Sequence, residues 1–382
     1  MIYILFFLIC LCLDKYLKRN TKLYYIVAIF VYIFLCFGYT TGSDWRNYEV
    51  VYNDELLLEK YAVLEPGFVL LVRAFNVITS DFWVFNALMK CFYLYSLLFF
   101  FSYFCSYKWT SLAMSFSFSS LFMLIDCPMR FMIAMGIFLF SCIAYLKGKY
   151  VWTTIFSLIS VACHITMVVP ILLLFSFRLA KSFSKISIFW LIVLYVLSFF
   201  LSKVEFIYNY IFNNILGVLG LAKFENSIYT VLNTDGLAIL GAFKIFILFM
   251  LILLNKKNIL KCENGYLIYY ISCLYFLSFN ILFSIPTGFR FGIFLSYFVS
   301  IALSYILRNK IYNNLFEKYL CKKILIALLL ITLYKDVYST YKYYPYTNSI
   351  YYILTGHLPY NYRDSYNIVE FKKMTGSNSE QI

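Results

Sequence analysis

The sequence predicts an all-α protein, a polytopic bundle of transmembrane helices, on three observations. Hydrophobic residues make up 63% of the chain and charged residues 13%, where a soluble domain carries about 25% charged residues. Apolar runs long enough to cross a hydrocarbon core of ~30 Å, about 20 residues in a helix, recur from one end to the other. Short basic segments punctuate these runs at Lys15 to Lys22, Lys147 and Lys149, Arg178 to Lys185, Lys256 to Lys261, and Arg308 to Lys323. Such segments collect on the cytoplasmic side of a membrane.

These marks place spanning helices at 1 to 13, 22 to 41, 82 to 104, 110 to 126, 128 to 147, 186 to 202, 236 to 254, 265 to 285, 287 to 307 and 324 to 340, about ten crossings by length and charge. The first run lacks a basic leader and a small-residue cleavage site, so it reads as a retained helix. The segment from Thr40 to Tyr61 carries five acidic residues, among them Asp44 and Glu49, against Arg46 and Lys60. It is therefore expected outside, with the N-terminus.

Two segments do not read as simple spans. Leu64 to Thr79 is short and contains Arg73 and Asn76, which suits a helix lying at the outer interface. Lys149 to Arg178 has basic residues at both ends, and one continuous helix over it would be ~42 Å long. A re-entrant hairpin with His164 near its apex is expected, because backbone that leaves helical form at depth must be buried in protein or face water. If both segments span instead, the helices between them invert and Arg130 moves to the cytoplasmic side.

The division is 1–340 as a membrane domain and 341–382 as a tyrosine-rich extracytoplasmic tail of the same domain. Those tyrosines suit interface anchoring or stacking on sugar rings. The formal charge of +14 reports topology before it reports nucleic acid, so no nucleic-acid partner is expected. The eleven cysteines lie mostly in apolar runs without metal-ligand spacing, which supports neither a disulfide framework nor a metal site. No fixed-period repeat or low-complexity tract is present, and no phosphate loop, dinucleotide fingerprint or nucleophile elbow.

Candidate chemistry therefore rests on polar residues that are expensive in lipid. Arg130 follows Pro128, and Arg290 follows Pro286, Thr287 and Gly288, each at the start of a helix. Guanidinium groups bind phosphate oxygens bidentately and stay charged, so this pair suits a lipid pyrophosphate; snorkelling or pairing with an acidic loop residue is the plainer alternative. His164, one of two histidines, could accept a proton from a hydroxyl or simply satisfy a helix contact. Asp44 lies just past a helix end and is either solvated or functional. Glu65, before Pro66 and Gly67, could cap the interfacial helix. Lys90 and Lys244 fall within spans, where internal pairing or snorkelling is expected.

The order Gly42, Ser43, Asp44, then Tyr48 and Tyr52, then Glu65, Pro66, Gly67, Phe68, then Arg130 with Ala134, then Ala162, Cys163, His164, then Arg290 and the late Pro345, Tyr346 resembles the EpsG family. Phe131 departs from the pattern of that family, in which glutamine commonly follows the arginine. The resemblance implies a Wzy-type polymerase of capsule, exopolysaccharide or O-antigen, related to the GT-C architecture and needing no metal or cofactor. Its substrate would be repeat-unit oligosaccharides on undecaprenyl pyrophosphate, at the outer face of the bacterial cytoplasmic (inner) membrane, with a flippase and a chain-length regulator as partners. In that scheme Arg130 and Arg290 hold the donor pyrophosphate, His164 or Asp44 deprotonates the acceptor, Asp44 orients the acceptor or the histidine, and Arg46 and Glu65 line the groove. A transporter of the same lipid-linked sugars and a surface-glycan O-acetyltransferase are the competing classes.

Overall fold

Runs of Leu, Ile, Phe and Tyr bounded by charged or proline-containing breaks form helices because a chain in lipid must satisfy its backbone polar groups within itself. The structure, a computed structural model, describes residues 2–15, 21–42, 44–202, 239–284, 288–308, 315–338, 343, 346–350, 365–366 and 368–369. Pro286, Thr287, Pro345, Ser43 and most of the 341–382 tail lie outside these residues. Among them the protein is all-helical, and five helical runs are long and apolar enough to cross a membrane: Phe82–Phe104, Met129–Leu146, Ile165–Phe183, Gly265–Leu282 and Phe289–Arg308. The chain divides into two compact units, Met1–Ile171 with Leu329–Ile382, and Leu172–Leu328.

The first unit holds α1 (Ile2–Lys15), α2 (Thr21–Cys36), α3 (Trp45–Asn53), α4 (Glu55–Glu59), α5 (Pro66–Asn76), α6 (Phe82–Phe104), α7 (Lys108–Phe116), α8 (Met129–Leu146) and α9 (Tyr150–Cys163). Helix α8 packs on α6 and on α9, while α5 packs on α9. The α8–α9 seam is built from small polar residues that let helices approach closely: the Ser141 hydroxyl donates to Thr153 O (2.9 Å) and meets Ser157 (2.8 Å), and Ser160 donates to Ala134 O (2.8 Å). In the second unit, Gly265–Ser284 packs on Phe289–Arg308 and on Ile188–Leu201, with Asn280 donating to Ser198 (3.1 Å).

Two expectations change. The segment 110 to 126 is not one helix. It is α7, a turn, and a π-helical stretch Phe122–Asp126 that ends at Cys127 in left-handed geometry (φ 55°). Pro128, which follows, cannot donate to a continuing ladder, so the helix unwinds before α8 begins. Lys90, for which pairing or snorkelling was expected, is buried at 1% exposure and has no hydrogen bond or ion pair among the described residues. Parts of the C-terminal segment are folded onto the first unit: Tyr346 donates to Phe34 O (2.5 Å), Thr347 O accepts from Tyr39 N (3.0 Å), and Tyr343 donates to Asp126 (3.4 Å).

Helix α5, of 11 residues, is ~16 Å long and too short to cross a bilayer. The 149–178 segment breaks where expected. Helix α9 ends at His164, which is extended (φ −161°, ψ 116°), and the helical run resumes at Ile165.

Candidate functional site

Glu65 stands at the N-cap of α5, with Pro66 in the first turn. Its side chain makes no capping bond, which corrects the capping expectation. The carboxylate instead turns into the first unit, where it is 3% exposed. One oxygen, Oε2, accepts from Arg130 Nη1, and the other, Oε1, meets His164 Nδ1. A single carboxylate thus joins three of the segments singled out in the sequence.

Local structure explains why these groups meet. Gly67 lies so close to α9 that a Cβ on it would stand 3.0 Å from the carbonyl carbon and Cβ of Ala162, two residues before His164. Glycine at 67 is therefore what lets Glu65 reach the histidine. The change Gly67→Ala is expected to push α5 off α9 and lower activity at least tenfold with a smaller loss of thermal stability, as steady-state rates and a melting curve would show.

Arg130 is the second residue of α8. A cation at a helix N-terminus opposes the helix dipole, so its position requires compensation. Glu65 provides it, Tyr48 Oη accepts from Arg130 Nε (3.4 Å), and the guanidinium lies 4.3 Å from the centre of the Tyr61 ring. Tyr61 is tied to the same turn, since its carbonyl accepts from Glu65 N (2.8 Å). Arg130 thus pairs with an acidic residue, the plainer of its two expected roles. Its other guanidinium arm, Nη2, makes no hydrogen bond among the described residues.

His164 is 7% exposed, its ring is edge-on to Phe131 at 5.6 Å, and its Nε2 is buried without a hydrogen-bond partner among the described residues. Phe131, the departure from the family pattern, therefore packs directly on the histidine. The carboxylate that meets the histidine is Glu65; Asp44 was expected to orient either the acceptor or the histidine. An ionised carboxylate only accepts hydrogen bonds, so Nδ1 carries a proton in either charge state of the ring, and in the neutral form the lone pair sits on Nε2.

Burial on its own would raise the Glu65 pKa, but the hydrogen bond and charge of His164 and then those of Arg130 outweigh it and leave the carboxyl below its usual range. A carboxylate with a depressed pKa adds stability that is complete above the ordinary value of about 4.3 and is lost as pH falls through the lowered one. Melting temperature should therefore carry a step on acidification below about pH 4 that is absent in Glu65→Gln. Burial likewise raises the Tyr48 pKa, against the opposing charge of Arg130, so Tyr48 remains a neutral hydroxyl.

The Gly42 loop adjoins this cluster. Gly42 has φ +91°, and a Cβ there would collide with Ile125 O in the π-helical turn before Arg130. Asp44, half-buried, acts electrostatically on Tyr48. The Arg46 guanidinium lies 5.4 Å from the centre of its neighbour's Trp45 ring. Arg290 belongs to the second unit, as the second residue of Phe289–Arg308, and its Nε is buried without a partner among the described residues. Tyr61 was not singled out in the sequence. Its only signal was its position four residues before Glu65.

Long apolar helices, with a largely buried ion cluster in the first unit, define a helical membrane protein with an internal polar site. The chain belongs to the EpsG family, which it matches over residues 1–348, and so to bacterial membrane proteins of polysaccharide biosynthesis. No curated protein and no solved structure matches it.

Proposed function

We propose that this protein is a Wzy-type polymerase that joins undecaprenyl-pyrophosphate-linked repeat units at the outer face of the cytoplasmic membrane. The observation that carries the reading is the buried Glu65 carboxylate joined to both Arg130 and His164, because it combines an anion-binding cation with an oriented base. His164 Nε2 accepts the proton of an acceptor hydroxyl at the non-reducing end of the incoming unit. The oxygen forms a glycosidic bond to the anomeric carbon of the growing chain as the bond from that carbon to the lipid pyrophosphate breaks. The leaving diphosphate carries away the electron pair, and the second arm of Arg130, Nη2, stabilises its charge, a task that preorganised cations do well. Glu65 stabilises the imidazolium until the proton passes to water.

Asp44 and Arg46 hold the acceptor end in this scheme. The role of Arg290 in binding the diphosphate rests on the family resemblance and on its buried Nε, which has no hydrogen-bond partner among the described residues. The ten-crossing topology, the hairpin at His164, the GT-C relationship, and cooperation with a flippase and a chain-length regulator belong to the same proposal.

The decisive experiment is an assay with purified protein and the lipid-linked repeat unit, scored for a ladder on a gel. A ladder made by the wild type and lost in Arg130→Ala and Arg290→Ala is expected. A wild type that makes no ladder, or an Arg130→Ala variant that still makes long chains, overturns the mechanism.

A further inference from the structure

Helix α3 carries Trp45, Tyr48 and Tyr52 at spacings of three and four, which places them on one face. Tyr48 meets Arg130, and Tyr52 stacks on Phe85 at 5.0 Å. Trp45, one turn earlier, packs against Trp83 at 5.4 Å, and Tyr39 packs on the same indole at 4.5 Å. Trp45 is buried, whereas Tyr39 and Trp83 are half-buried. Tyr39 and Trp83 therefore keep part of their surface accessible beside a buried Trp45.

The arrangement is held rigidly from beneath. Asp81 caps α6 by accepting from Trp83 N (2.7 Å), and its own N–H donates to Thr79 Oγ1 (3.0 Å). Tyr52 closes the circuit by donating to Thr79 O (2.7 Å). Polar residues flank the rings along the chain: Asp44 and Arg46, half-buried, on either side of Trp45, with the Arg46 guanidinium 5.4 Å from the centre of the Trp45 ring, and Asp81, exposed, two residues before Trp83. Partly accessible aromatic rings flanked by polar residues suit a pyranose, which presents C–H groups on its faces and hydroxyls at its edge. Three residues separate Trp45 from Tyr48, a rise of ~4.5 Å along the helix, about the length of one pyranose ring.

We propose that Tyr39, Trp45 and Trp83 form a carbohydrate subsite that holds the sugar next to the reacting one in the acceptor unit. Which sugar is held rests on the polymerase reading; that a glycan binds there does not. The probe is the oligosaccharide released by mild acid from the host cell's own lipid-linked repeat unit, added to purified full-length protein and followed by saturation-transfer NMR. Wild type is expected to bind it, Trp83→Leu to bind about tenfold more weakly, and Trp83→Phe, which keeps a ring, to lose less than about threefold. In the polymerisation assay Trp83→Leu should raise KM by more than it lowers kcat, whereas a purely structural role would lower kcat and folded yield regardless of ring character.

A Trp83→Leu protein that binds like the wild type, or a wild type that does not bind, overturns the subsite. Ring-dependent binding in a protein that makes no ladder upholds the subsite and removes the polymerase reading.

Discussion

Replacing Glu65 by glutamine is expected to abolish chain growth and to lower stability by about 3–5 kcal/mol, the range for removing one partner of a buried ion pair. The carboxylate serves Arg130 and His164 at once, and an amide cannot, because only one of its two atoms accepts. If the amide oxygen stays on Arg130, the amide nitrogen faces His164 Nδ1 and forces its proton to Nε2. The base is then lost through the wrong tautomer, with a rate loss of ~10³–10⁴ on the analogy of the carboxylate in a Ser-His-Asp triad. A second variant separates stability from chemistry. Glu65→Gln combined with Arg130→Met removes both charges and should recover much of the melting temperature while remaining inactive. If Glu65→Gln alone retains both melting temperature and ladder, the carboxylate neither holds Arg130 nor orients His164.

The change His164→Gln should leave the protein folded and its turnover ~10²–10⁴ times slower, the usual contribution of a general base. Glutamine can still donate a hydrogen bond to Glu65 and fill much of the space beside Phe131, but it offers no atom that takes up a proton near neutral pH. Single-turnover measurement of bond formation, with saturating lipid-linked unit, is the suitable readout because it is insensitive to product release. A variant whose bond-forming rate matches the wild type would remove His164 from proton transfer and leave it as a packing residue.

The helices were legible in the sequence wherever apolar length decided them. Phe82–Phe104 and Met129–Leu146 match the expected spans to within a residue or two. The 110 to 126 run was misread because hydropathy measures apolar content and not continuity. Its buried serines, the π-helical turn and Pro128 all disturb the ladder without making the stretch polar. Arg130, His164 and Glu65 stood out because ionisable groups are costly away from water, and that cost is visible in one dimension. Their pairing was not visible: Asp44 was expected to orient the acceptor or the histidine, whereas the carboxylate that meets His164 is Glu65, 99 residues away from it.

The sequence by itself determined that this is a helical membrane protein of the EpsG family and which scarce ionisable residues it carries, because composition and motif order are properties of the chain alone. The tertiary structure decided that Glu65 turns inward to bind two partners instead of capping its helix, that Tyr61 lies over Arg130, and that Trp83 joins Tyr39 and Trp45. Those outcomes depend on how closely α5 approaches α9, and α3 approaches α6. Such distances are set by packing between segments remote in sequence, through features as small as the missing side chain of Gly67.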